Sequence, residues 1–340
     1  MSYERWQSLP EMFFEQAERH AGRGFLRWKA DGAWQSLGYR EAANEVRALA
    51  RGLLGLGLKP GDRVVILSES RAEWPIADLA IMATGGVTVP AYTTNTTADH
   101  QHVLTHSGAM AAIVSGKALA KRFLPAAIEA PELRFIVAIE DLELAQRPGK
   151  AVHGWAEVKA EGARTPEGLL EERIATLKRK DRACFIYTSG TGGTPKGVML
   201  GHGAILHNCR GAHDVIRQLG LDEEVFLSFL PLSHAYEHTV GQFLPMTIGA
   251  EIWYAESAEK LMDNIAEARP TIMTAVPRLY EVIHQRILRG LAKAKPAQRR
   301  WFERALTLGK QRYEKPGSLS LWQRLQDLAA ELLVRRKIRK

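Results

Sequence analysis

Apolar runs of strand length alternate with helix-patterned segments through most of the first 280 residues, and this alternation limits the fold more than any single motif. DRVVIL, GVTVPAY, MAAIVS, LRFIVAI, RACFIY, VML, EVFLSFL, AEIWYA and TIMTAV read as strands. Helical patterns fall between many of them. Tyr39–Leu56 carries Val46, Leu49, Ala50, Leu53 and Leu54 on one face, and RAEWPIADLAIMAT, TADHQHVLTHSG and segments from about His202 and near Tyr236 read alike. Strands that alternate with helices predict largely parallel, helix-covered sheets, an α/β fold. One antiparallel element is also expected, because FLRWKA and AWQSLGY flank Asp31-Gly32, a hairpin-turn dipeptide.

With 340 residues the chain exceeds the size at which one core keeps growing, so more than one subdomain is expected. The stretch Asp141–Lys180 is polar and poorly patterned and predicts a boundary: a first α/β subdomain over 1–150, a second over 151–280, and a basic helical segment over 281–340. A composition of 46% hydrophobic and 25% charged residues leaves enough apolar side chain for a sizeable core. Cys184 and Cys209 have neither CxxC spacing nor a disulfide framework, and Cys184 in its apolar run reads as a buried thiol. The N-terminal MSYERWQSLPEMFFEQAERH is charged and amphipathic rather than a signal peptide, and no segment has the roughly 20 apolar residues of a membrane span. A cytoplasmic location is the simplest expectation.

Residues 187–197 read YTSGTGGTPKG, directly after the apolar Ala183-Cys184-Phe185-Ile186. Glycine and proline weaken strand and helix interiors, so this is a loop between two strands. It is not a P-loop, since Lys196 follows Pro195 and leads through Gly197 into a strand, nor a dinucleotide fingerprint, whose last glycine is missing. Its glycines let backbone N–H groups approach a ligand as an anion nest. The hydroxyls of Thr188, Ser189, Thr191 and Thr194 can donate to phosphate oxygens, and Lys196 can offset their charge.

TSGTGGTPKG resembles the T-S-G-T-T-G-x-P-K-G signature of the adenylate-forming superfamily, which includes acyl-CoA synthetases, luciferases and peptide-synthetase adenylation domains. Gly192 replaces the usual threonine, which removes a hydroxyl and keeps the backbone donor. VPAYTTNTTADHQHVLTHSGA, FLPLSHAYEH and RPTIMTAVPRLYEVI resemble elements of the long-chain fatty acid–CoA ligase branch, so the likeness spans nearly the whole chain. The resemblance implies two largely parallel sheet subdomains of the adenylate-forming large domain, truncated before its last part and without the C-terminal small domain. It implies that ATP, Mg²⁺ and a fatty acid give an acyl adenylate and pyrophosphate, and that CoA then displaces AMP. An aryl or medium-chain acid, or a non-catalytic ATP- or acyl-binding remnant, are the alternatives. By the family pattern, Thr188, Ser189, Gly190, Thr191, Gly192, Gly193, Thr194 and Lys196 bind the nucleotide, Thr188 helps hold Mg²⁺, and Lys196 and His234 are the catalytic candidates. The later Y-G-x-T-E and T-G-D elements and the terminal catalytic lysine are not found, so these 340 residues alone are expected not to turn over.

His234-Ala235-Tyr236-Glu237-His238 is also a literal H-x-x-E-H, the pattern of a zinc peptidase. The strand and Pro231 just before it and the phosphate loop upstream favour another reading. In the resemblance His234 lies at the acyl end of the ATP site, and His238 falls where some members carry an aromatic gate to the acyl tunnel. The competing expectation for both is a helix-start histidine held by local hydrogen bonds.

The net charge of +8 is uneven, because residues 281–340 carry +11 and residues 1–280 carry −3. From Glu281 the chain reads as long amphipathic helices separated near Pro316-Gly317. Leu321, Leu325, Leu328 and Leu332 form a stripe beside Trp322, Ala329 and Leu333, followed by the cluster Arg335–Lys340. A solvated helical face is one reading and peripheral contact with an anionic membrane at its inner surface the other. No accompanying motif supports nucleic acid binding.

Overall fold

The computed structural model describes residues 3–142, 149–166, 168–189, 193–221, 223–292 and 294–336. The chain divides into two compact units, Met1–Thr274 and Ala275–Lys340.

The first unit opens with α1 (Leu9–Arg19), the hairpin β1 (Gly24–Ala30) and β2 (Ala33–Gly38), and α2 (Tyr39–Gly55). It continues through β3 (Arg63–Leu67), α3 (Glu73–Ala83), β4 (Val87–Pro90), α4 (Thr97–Ser107), β5 (Ala109–Val114), α5 (Lys117–Glu129) and β6 (Phe135–Ala138). Then come β7 (Ala151–Gly154), α6 (Trp155–Glu161), α7 (Leu169–Thr176), β8 (Arg182–Thr188), β9 (Lys196–Gly201) and α8 (His202–Ile216). β10 (Val225–Ser228), a π-helical turn over Glu237–Phe243, α9 (Leu244–Ile248), β11 (Glu251–Tyr254), α10 (Leu261–Ala268) and β12 (Ile272–Met273) complete it.

Among the described residues the strands form two sheets, a seven-stranded one in the order β7-β6-β5-β3-β4-β8-β9 and a five-stranded one in the order β12-β10-β11-β1-β2. The pairs β1–β2 and β8–β9 are antiparallel and the other pairs parallel. Both hairpins lie at a sheet edge, where a short connection needs no crossover. In the first hairpin Asp31 (φ 51°) and Gly32 (φ 77°) are both left-handed, the turn that matches strand twist.

The central strands are apolar on both faces. Val64 and Ile66 of β3 join a core shared with the five-stranded sheet through Leu26, Phe226 and Ile252. Val65 and Leu67 face the other way, onto Phe123 of α5 and Val103 of α4.

The sheets do not divide at residue 150/151. β1 and β2 join β10–β12 in one sheet, and β8 and β9 join β3–β7 in the other. Strand order follows the burial of apolar faces, not sequence proximity. The segment expected to be a boundary, Asp141–Lys180, contributes the edge strand β7, α6 and α7, and α6 packs on α2. Gly52 of α2 faces the Val158 carbonyl so closely that a Cβ there would be driven into it.

The second unit consists of α11 (Pro277–Ala292), α12 (Pro296–Glu314) and α13 (Leu321–Ala330), which runs into a π-helical turn at Glu331–Arg335. It begins six residues before the expected 281. Phe302, Ala305, Ala330 and Val334 form its small core, against Ile287, Leu291 and Trp301. The leucine stripe of α13 faces outward, with Leu321, Leu325, Leu328 and Leu332 all more than half exposed. The opposite face packs, and there Asp327 is tied to Arg312 and Arg335.

The closeness of α2 to α6 makes Gly52→Ala a test of this packing. It is expected to destabilise the first unit by about 1–3 kcal/mol through overpacking, read from the denaturation midpoint. Gly22→Ala, with open space at its Cβ, is the control and is expected to change little.

Candidate functional site

The glycine-rich loop leaves the sheet between β8 and β9. The ladder pairs Tyr187 with Gly197 and Thr188 with Lys196, so the two stems are fixed to each other up to the loop mouth. The far end of the Tyr187 ring lies close to Gly197, where a Cβ would sit 3.2 Å from it. Gly193 adopts φ 85°, which favours glycine. Thr188, Ser189, Gly193, Thr194 and Lys196 are exposed, in keeping with a ligand-facing loop. Gly190, Thr191 and Gly192 lie outside the described residues.

A cavity of about 420 Å³ opens beside this mouth. Thr188, Ser189 and Pro195 form one wall, Tyr92 and Asp99 another, and His234 closes it. The volume is that of a small-molecule pocket. The structure thus brings Thr188, Ser189 and His234 together, although 45 residues separate Ser189 from His234 in sequence. Lys196 stands opposite Thr188 on the ladder, outside the cavity lining. Larger hollows of about 980 Å³ at residues 138–157 and about 540 Å³ at the ends of β1, β3 and β5 contain none of the expected site residues.

Tyr92 and Asp99 were not singled out from sequence. Both lie in the segment whose resemblance was noted, and the tell-tale signal was the capping box at Thr96–Asp99, which starts α4 at the cavity edge. The Thr96 hydroxyl and amide both donate to the Asp99 carboxylate and hold its pKa below the usual range. Burial raises the Tyr92 and Tyr187 phenols, so both stay neutral donors.

His234 and His238 part company. His234 is exposed and accepts the Tyr236 amide at Nδ1 (3.3 Å). His238 is fully buried. Its Nε2 lies 2.8 Å from Asp78 Oδ2 of α3, with Trp74 and Phe243 edge-on to the ring. A buried imidazole needs a polar partner, and Asp78 is available only because the fold packs α3 against this turn. Burial works against its charged form, but the Asp78 carboxylate and the Cys184 sulfur outweigh it and push His238 up to about 10. With His238 engaged by Asp78 and His234 facing the cavity, the two rings of the H-x-x-E-H segment do not converge on a common ligand.

Glu237 is also fully buried. It accepts the hydroxyls of Ser228 (2.6 Å) and Thr274, tying the π-helical turn to β10 and to the end of β12. Burial pushes its carboxyl up to about 7, against those hydrogen bonds. Gly241 is required beside it, since a Cβ there would collide with the carboxylate.

Comparison with known proteins then places the fold. Residues 13–333 match the family described as AMP-binding enzyme. The chain belongs to that family. It is 33% identical over 267 residues to the long-chain-fatty-acid–CoA ligase FadD15 of Mycobacterium tuberculosis, covering 78% of this chain and 42% of the relative. It is 30% identical over 305 residues to the human long-chain-fatty-acid–CoA ligase ACSBG2, covering 89% and 45%. The chain therefore spans less than half the length of these relatives. Among solved structures, the adenylation domain of a carboxylate reductase from Mycobacterium chelonae superposes with a TM-score of 0.72 at 21% identity, covering 96% of this chain and 56% of that one. The fatty acyl-adenylate ligase from L. pneumophila, solved with acyl adenylate and pyrophosphate, gives 0.62 at 19%, covering 80% and 45%. The α/β architecture of two helix-flanked, mostly parallel sheets is thus that of the adenylate-forming large domain.

The raised Glu237 has a measurable consequence. Its protonated form is favoured in the fold, so between about pH 4.5 and 7 the folded chain binds more protons than the unfolded one. Stability then falls as pH rises through that window, on the order of 3 kcal/mol from this group. Glu237→Gln is expected to flatten this part of the stability profile, measured by urea denaturation at several pH values. An unaltered fall would contradict the assignment.

Proposed function

We propose that this site activates a carboxylic acid with ATP, that the acid is a long-chain fatty acid, and that CoA is the final acceptor. The substrate carboxylate forms a bond to the α-phosphorus while the bond to the bridging oxygen breaks, and pyrophosphate leaves with the electron pair. The CoA thiol then displaces AMP from the acyl adenylate. No protein nucleophile is required, so catalysis consists of positioning and charge stabilisation. The observation that carries this reading is the shared cavity of Thr188, Ser189 and His234 beside a loop with a single cation, Lys196. Both ligases named above carry the fatty acid and CoA in their names, which supports that choice of acid and acceptor.

In this reading the loop amides and hydroxyls, including those of Gly190, Thr191, Gly192, Gly193 and Thr194, cradle the phosphates, and Lys196 offsets their charge. His234 faces the carboxylate from the far wall. The exposed Thr188 hydroxyl at the cavity edge is a hard oxygen donor that suits Mg²⁺, which would neutralise phosphate charge when bound. Lys196→Ala is expected to weaken ATP–Mg²⁺ binding by loss of a charge-assisted contact of about 1.5–3 kcal/mol. Isothermal titration measures it, and equal affinity of the two forms would remove Lys196 from the site.

No helix among the described residues is long and apolar enough to cross a membrane. The second unit combines the outward leucine row of α13 with the +11 charge of residues 281–340, a pairing suited to an anionic lipid surface. Co-sedimentation with vesicles is expected to require anionic lipid, to fade with added salt as screening shortens, and to drop for Leu325→Ser/Leu328→Ser. Equal binding to neutral vesicles, or none to either, would leave the row as an ordinary solvated face.

A further inference from the structure

We propose that His102 and His106 of α4 are positioning residues for the nucleotide loop, which they grip by both of its stems. The inference rests on the reading of that loop as the phosphate cradle. A glycine-rich loop is costly to order, because its backbone has more freedom to lose than any other. Past Thr188 and Lys196 the ladder no longer helps. A rigid neighbour is needed, and α4 is one.

The helix is capped at both ends. Thr96 and Asp99 close its N-terminus, and Gly108 ends it in the left-handed conformation, where Arg63 donates to the carbonyls of Ser107 and Gly108 at 2.8 and 2.6 Å. His102 and His106, four residues apart, share one face and stack at 5.2 Å. His102 Nε2 lies 2.8 Å from the Pro195 carbonyl, which can only accept, so Nε2 carries the proton. His106 Nδ1 lies 2.8 Å from the Tyr187 hydroxyl. Both imidazoles meet the Tyr187 ring edge-on, at 5.9 and 5.7 Å.

Each contact sits one residue from a proposed phosphate ligand. Pro195 precedes Lys196, and Tyr187 precedes Thr188. The Tyr187 ring in turn rests on Gly197, so one helix face holds the end of β8 and the start of β9 together. Neither histidine lines the cavity, while Asp99 and Val103 of the same helix do. The pair therefore acts through the loop and not on the substrate.

The test compares the intact chain with His102→Ala, His102→Gln, His102→Asn and His106→Phe. Gln can bring an amide nitrogen to the Nε2 position, whereas Asn falls short. His102→Ala and His102→Asn are expected to speed hydrogen exchange of the Ser189, Gly193, Thr194 and Lys196 amides without nucleotide, and to weaken ATP–Mg²⁺ about tenfold. His102→Gln is expected to restore both, and His106→Phe, which keeps the ring contact, to show a partial effect. Unchanged exchange in His102→Ala, or equal behaviour of Gln and Asn, would overturn the clamp while leaving the nucleotide site intact. If the unaltered chain fails to bind ATP–Mg²⁺, the cradle reading falls, and the clamp as a nucleotide-positioning device falls with it.

Discussion

The ladder between β8 and β9 carries the site. β8 is anchored in the seven-stranded sheet by its parallel pairing with β4, where Thr88 faces Cys184. Among the described residues β9 pairs with β8 alone, along its inner edge. The loop is thus fixed at both stems by six paired positions from Arg182–Gly201 to Thr188–Lys196, and open beyond them. A parallel strand ending at the sheet's edge, followed by a return strand, puts the loop where ligands gather in α/β folds, outside the carboxyl ends of the strands.

What closes the cavity against this loop comes from the other sheet. His234 precedes the π-helical turn, and that turn is pinned from beneath by charge and hydrogen bonding. Glu237 binds Ser228 and Thr274, and His238 and Gln242 both bind Asp78 at 2.8 Å. π-helical turns are rare and recur at functional sites. Here the turn buries Glu237 and His238 side by side while His234, just before it, stays exposed. The polar cluster couples α3, β10 and β12 to the position of one exposed imidazole.

Much of this was legible from sequence because it depends on local rules. The Asp31-Gly32 turn, the continuous apolar strands β3 and β5, and the glycine-rich loop between two strands each follow from backbone preference or from burial on both faces. Other elements escaped for physical reasons. α5 contains Pro125, which masks a helical pattern, and α6 and α7 are too short to show a period. The partner of His238 lies 160 residues away, and no local pattern announces a buried acid among the apolar residues that follow Glu73 in α3. The α13 stripe showed amphipathicity correctly but not which face packs, because Asp327 is drawn inward by Arg312 and Arg335 and leaves the leucines outside. The second stem contact of the loop was equally hidden, since His102 reaches Pro195 across 93 residues.

The central claim is that nucleotide phosphates sit in the mouth of the β8–β9 loop, against the wall that His234 completes. Hydrogen–deuterium exchange of the chain with and without ATP–Mg²⁺ tests it most directly. The account requires new protection confined to the amides of residues 188–194, 196 and 197 and the turn around His234, with α11–α13 unchanged. Saturable ATP binding that leaves those amides unprotected, or that protects another surface instead, would contradict it.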